Sequence, residues 1–246
     1  MTAESIQAEG RAYFPNDISR VEACENAFLA AKKNAMSQAG LERGRFSVMD
    51  ICSEDEQGST CSLIQESQSY FEGGYVANSR IEREDIVTGA FKECVVNATF
   101  DVRKFETEPD VNFVLEAELN KRKFFDKEEV SISGNVSQAA FIYLLGYNPS
   151  NDKLELLIPN KFEEEAQVQN NFLLPSAKGK TKYKFFAYLP DGYKKESLAE
   201  FMVLLATKKK FVLLEETSAS QFYTRLEEFG RSNWRKIDLG YTIFRN

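Results

Sequence analysis

Along the first residues of the chain, apolar and polar positions alternate: Ile6, Ala8, Gly10, Ala12 and Phe14 fall on one side of an extended segment. Pro15, Asn16 and Asp17 then supply turn chemistry. The period changes at once from two to 3.6. Ser19 followed three residues later by Glu22 reads as a capping box, and Cys24, Ala27, Phe28, Ala31, Ala35 and Ala39 form one stripe before Gly40 ends the helix. A stripe of alanines lets a helix lie close on a sheet. That sheet is expected from residues 69–84 and 90–105, separated by a turn at 85–89, with Gly73 and Gly74 marking a bulge or sharp bend. In the second segment Cys94, Val96, Ala98, Phe100 and Val102 alternate with Glu93, Asn97, Thr99, Asp101 and Arg103, which aims Cys94 at the helix that carries Cys24.

A polar joint containing Pro109 covers residues 106–110. Beyond it Val111, Phe113, Leu115, Ala117 and Leu119 alternate against Asn112, Glu116, Glu118 and Asn120. Further strands are predicted over 129–133, 139–147, 153–158, 182–189, 197–207 and 237–244, with turns at 148–152 and 190–192. One late helix is expected, opened by a Ser218/Gln221 capping box and carrying Phe222, Leu226 and Phe229 on one face. The predicted fold class is therefore α+β. A β-α-β-β domain over residues 1–107, a helix on an antiparallel sheet, precedes a mainly antiparallel β-sandwich over residues 110–246.

Two apolar runs in the second half end in proline. Residues 154–160 close on Leu157, Ile158, Pro159 and Asn160, and a later pair of leucines, Leu173 and Leu174, closes on Pro175. Proline ends a strand because it has no N–H for the ladder, and asparagine bonds its own backbone in a turn. Pro159, Asn160 and Pro175 are accordingly expected to form a structural corner.

Composition narrows the chemistry. With 43% hydrophobic and 28% charged residues, a 246-residue chain is globular and long enough for two ordinary cores. A net charge of −7 repels nucleic acid, and the one dense basic run, 208–210, lies between apolar stretches. No apolar run reaches the ~18 residues of a membrane span. Histidine is absent, which removes the commonest base near neutral pH and the commonest zinc ligand. Lys178 to Thr181 imitate the end of a phosphate loop without its upstream glycine, and Ser150 with Lys153 match a Ser-x-x-Lys spacing inside a turn. Acidic clusters at Asp126, Glu128, Glu129 and at 163–165 lack calcium-loop spacing and read as solvated faces. No catalytic residue, metal ligand or cofactor site is assigned. The 20 Phe and 10 Tyr, in runs such as Phe124–Phe125 and 183–188, are expected to fill cores and to leave some rings exposed as a protein-binding face.

Four cysteines bear on the compartment. Pairing of Cys24 with Cys94, and of Cys52 with Cys61 around the polar insertion 53–60, is one reading, suited to an oxidising environment. Reduced core cysteines are the second reading and a zinc site the third, the last without any C-x-x-C knuckle. The chain starts without the basic and apolar regions of a secretion signal, which leaves two expectations: a cytosolic protein, or an exported one whose signal is missing here.

The layout of residues 141–146, 157–160, Leu174–Pro175 and 188–192 resembles a bacterial domain family of unknown function. That family is found attached to caspase-like proteases, kinases and envelope proteins, and in it a Tyr-Leu-Leu strand leads to a Leu-Phe-Pro-Asn corner. Here the corner reads Leu-Ile-Pro-Asn, and the resemblance runs over about residues 111–207. Ala8, Glu9, Gly10, Arg11 and Ala12, followed by the alanine-striped helix, resemble the N-terminal domain of the flagellar ring protein FlgT. The resemblances imply a non-enzymatic, periplasmic or cell-surface binding or assembly protein, part of a flagellar, secretion or other surface apparatus. Its partners would be envelope proteins, and oligomerisation stays open. The alternative is a cytosolic sensing or regulatory module; an unrecognised hydrolase ranks third.

Overall fold

The computed structural model describes residues 3–13, 19–41, 70–71, 73–88, 91–148, 153–164, 167–193 and 196–246. Those up to Glu106 form one compact unit and those from Thr107 a second. Cys52, Cys61, their insertion and the Pro15–Asn16–Asp17 turn lie outside the described residues.

The first unit is built from β1 (Ala3–Tyr13), α1 (Arg20–Gln38), β2 (Tyr70–Phe71), β3 (Gly74–Thr88) and β4 (Lys92–Lys104). The strands form an antiparallel sheet in the order β1-β4-β3-β2. α1 starts where Ser19 Oγ accepts the Glu22 backbone N–H at 3.1 Å. It stops at Gly40, whose N–H reaches the Ser37 carbonyl and whose φ of +70° turns the chain so that the Leu41 N–H reaches the Met36 carbonyl. Ala23, Ala27, Ala31, Ala35 and Met36 are fully buried against Val96, Ala98, Phe100 and Val102 of β4. The turn expected at 85–89 is corrected, because Asp85, Ile86, Val87 and Thr88 are strand and pair with Val95, Cys94, Glu93 and Lys92. Three β-branched residues in a row, Ile86 to Thr88, favour the extended backbone, and Ile86 packs on the core. Gly73 bends the chain between β2 and β3, and the register shifts of β3 come later, at Val76/Asn78 and Ile81/Arg83.

The second unit contains β5 (Leu115–Leu119), β6 (Lys123–Phe125), β7 (Glu129–Val130), β8 (Ile132–Asn148), β9 (Lys153–Ile158), β10 (Gln167–Leu174) and β11 (Phe185–Phe186). It continues with β12 (Ser197–Thr207), β13 (Glu216–Ser218), α2 (Ala219–Phe229) and β14 (Trp234–Phe244). β8 organises it: its first half pairs with β5 and β10, its second half with β9 and β12. Alternate residues of β8, namely Ile132, Val136, Ala140, Ile142 and Leu144, point into a shared core with Phe113, Phe124, Leu174, Leu204, Leu239 and Ile243. This is a mainly antiparallel β-sandwich, with β6 running parallel to β14. The opposite face of β8 and β12 is also buried, through Tyr143, Leu145, Val203 and Leu205. α2 supplies the cover: the Trp234 indole donates to the Leu226 carbonyl at 3.0 Å, and the Phe211 ring lies 4.9 Å from Phe229. Ser218 and Gln221 close both halves of the capping box that starts α2.

Several strand predictions are corrected. The first strand begins at Leu115, because the Asp110 carboxylate accepts the Asn112 N–H and its carbonyl the Phe113 N–H, turning the chain there. The segment 129–133 is split, Glu129–Val130 pairing with β11 and Ile132 opening β8. Of 182–189 Phe185 and Phe186 alone are strand, preceded by a 3-10 turn at Gly179–Thr181. β10 has no alternating signal because its outer face is exposed and the chain bulges between Val168 and Asn170.

Candidate functional site

The proline corner is assembled from the ends of β9 and β10. The Ile158–Pro159 and Leu174–Pro175 bonds are both cis. Beyond Pro159, Asn160 turns the chain by three side-chain bonds: its amide donates to the Leu157 carbonyl at 2.8 Å, and its Oδ1 accepts the N–H groups of Phe162 and Glu163. Beyond Pro175 the Ser176 backbone N–H donates to Glu163 Oε1 at 2.9 Å, while the Tyr183 hydroxyl donates to Oε2 at 2.5 Å. One carboxylate thus ties the two proline ends together. Burial, reinforced by that acceptor, pushes the Tyr183 phenol well above its ordinary pKa and keeps it a donor. Gly179 leaves room beside it, since a Cβ there would stand 2.5 Å from Glu163 Oε2 and would have to push the carboxylate aside. Glu163, expected as part of a solvated acidic run, is instead the central acceptor of the corner. A signal existed in retrospect, an Asn-x-x-Glu spacing that puts the carboxylate one turn after the asparagine.

The corner presents rings. Phe162 stacks on Tyr183 at 5.7 Å, Tyr183 meets Phe185 edge-on at 5.3 Å, and the Lys161 ammonium lies 4.8 Å over Phe162. A second group surrounds the turn from Phe125 to Glu128, where the Glu128 carboxylate accepts the Phe125 N–H and Asp126 accepts that of Leu189. The acidic cluster at 126–129 therefore fastens turns and pairs with Lys121 and Lys184. Phe125, Phe186 and Tyr188 stand outward from this turn, 57%, 41% and 54% exposed, with Phe186 and Tyr188 in ring contact at 6.0 Å. The basic run is used locally: Lys208 pairs with Asp110, and Lys210 lies 5.8 Å from the Phe141 ring.

Two polar pairs are withdrawn from solvent in the second unit, the first buried and the second half-buried. Lys236 and Asp238, two residues apart on β14, form an ion pair with side chains 2% and 4% exposed on the face beneath α2. Burial lowers the Lys236 pKa, opposed by Asp238. On the other face Tyr241 donates to Glu200 at 2.8 Å across β12 and β14; burial raises the pKa of both groups. Sequence reading missed both pairs, because Lys236 and Asp238 look like ordinary strand exteriors.

In the first unit Cys24 and Cys94 are joined by a disulfide between α1 and β4, with Cα atoms 5.2 Å apart and both residues buried. Glu84 on β3 faces Val96 in the ladder, on the α1 side of the sheet. The sulfur atoms and a Glu84 carboxylate oxygen all lie within 4.8 Å of one another. Arg20, from the first turn of α1, reaches Glu84 at 3.5 Å.

No protein-family model matches the chain, and no curated protein matches it. No helix among the described residues is long and apolar enough to cross a membrane.

Proposed function

We propose that this is a non-enzymatic binding or assembly protein of a bacterial cell envelope, acting in the periplasm or at the cell surface through protein partners. The observation that carries the reading is the group of outward rings at the Phe125–Glu128 turn, Phe125, Phe186 and Tyr188. Rigid aromatic side chains held on strand and turn backbone lose little conformational entropy on binding, which makes them effective anchors. The buried Cys24–Cys94 disulfide supports an oxidising compartment. The absence of histidine in the sequence, and the use of Glu163, Asp126 and Glu128 as turn acceptors, leave these acidic groups committed to structure. The resemblance of the second half to domains attached to envelope proteins, and of the first to FlgT, agrees with an assembly role in a flagellar, secretion or other surface apparatus.

The test is a photo-crosslinking amino acid placed at Phe186 in the native host. The reading expects a discrete protein adduct, which competition with excess wild-type chain removes and which a probe at exposed Ile81 does not give. Equal, diffuse labelling from both positions would sink it.

A further inference from the structure

We propose that Cys24, Cys94 and Glu84 form a redox-gated site for a soft divalent cation of the zinc class, closed while the sulfurs are bridged and opened by reduction. Their three ligand atoms already lie within 4.8 Å of one another. Metal–sulfur bonds of about 2.3 Å and metal–oxygen bonds of about 2.1 Å place tetrahedral ligands roughly 3.5–4 Å apart, a separation within the 4.8 Å that already contains the three atoms, so rotation of the side chains is the movement the site calls for. The site is one-sided. Cys94 is fully buried and Cys24 nearly so, whereas Glu84 is exposed, so a cation enters past the carboxylate and keeps its fourth position for water. The ion pair that holds Glu84 is weak: Arg20 sits 3.5 Å away with its side chain 64% exposed, and a dication displaces such a partner readily. Ile86, on the same strand face as Glu84, pairs with Cys94 in the ladder and packs on the core, which places the carboxylate and the sulfurs on one side of the sheet.

The chemistry balances in two steps. A phosphine reductant gives two electrons to the S–S bond and leaves as its oxide with the oxygen of one water, whose two protons convert the sulfurs to thiols. Each thiol then releases its proton as the sulfur bonds the cation, and Glu84 adds a carboxylate oxygen. The cation takes over the link between α1 and β4 that the disulfide makes when oxidised.

The experiment uses the full chain carrying Cys52→Ser and Cys61→Ser, so that Cys24 and Cys94 are the two cysteines that remain, with Cd2+ as the probe. The oxidised protein should bind none. After phosphine treatment it should take up one Cd2+ per chain, with a sulfur-to-cadmium charge-transfer band in the ultraviolet. Cys94→Ser should abolish the band, and Glu84→Gln should weaken binding at least about tenfold. Equal uptake before and after reduction, or undiminished affinity in Glu84→Gln, overturns the proposal. So does a reduced chain that unfolds by circular dichroism and does not refold when Cd2+ is added.

Discussion

Gly10 sits where β1 passes under α1, and a Cβ built there would lie 2.0 Å from the Ala27 carbonyl oxygen and 2.2 Å from the Ala31 nitrogen. Backbone cannot step aside as a side chain can. Gly10→Ala should therefore lower stability by about 3 kcal/mol in urea unfolding. Gly40→Ala, which meets no atom but is strained by a φ of +70°, should cost about 1 kcal/mol. Equal costs would mean that α1 does not lie this close to the sheet. At the corner, Tyr183→Phe removes one of the two donors that Glu163 accepts and should cost about 1–2 kcal/mol in the same assay. Glu200 makes a pH prediction. Burial raises its folded pKa, so its contribution favours the fold at acid pH and is lost as pH rises from the ordinary carboxylate range through the raised value. Glu200→Gln keeps an acceptor for Tyr241 and cannot ionise. Its melting temperature should exceed wild type at about pH 7, with the gap closing toward about pH 4; a pH-independent difference would refute the assignment.

At the scale of elements, legibility followed the periodicity. α1 and β9 were readable because one buried face repeats at 3.6 or two residues between clear stops, and β12 because a continuous apolar run, buried on both faces, lies between such stops; their boundaries agree closely with those expected. β8 appeared as pieces, since a strand that serves both layers of a sandwich is buried on one face first and on both later. β10 and the segment around Tyr183 were not legible because contacts distant in sequence, to β8 and to Glu163, decide their conformation. Pro159, Asn160 and Pro175 could be read as a corner from turn chemistry, but the carboxylate that joins them could not. The same limit hid the ion pair on β14. Asp238→Asn would strand the Lys236 ammonium under α2 and should cost about 3–5 kcal/mol, whereas the double change Lys236→Met with Asp238→Leu should recover most of that loss. Calorimetry of the two variants checks this; an equally unstable double variant would show that the pair is needed for more than mutual compensation.

For the whole molecule, two units each close around their own core, and the first is small for the length of strand it must hold. Its disulfide links residues 70 apart in sequence, a loop whose closure restricts the unfolded chain by about 4 kcal/mol in the entropic account. Architecture held by sulfur, with rings displayed on strands and turns, is what the envelope reading requires, and it makes the oxidation state in the cell the decisive quantity. Host cells quenched in acid and alkylated before lysis, followed by peptide mapping of Cys24 and Cys94, measure it directly. The account predicts that neither residue is alkylated until a reductant is added, and that both are afterwards. Full alkylation of both in the unreduced sample would contradict it.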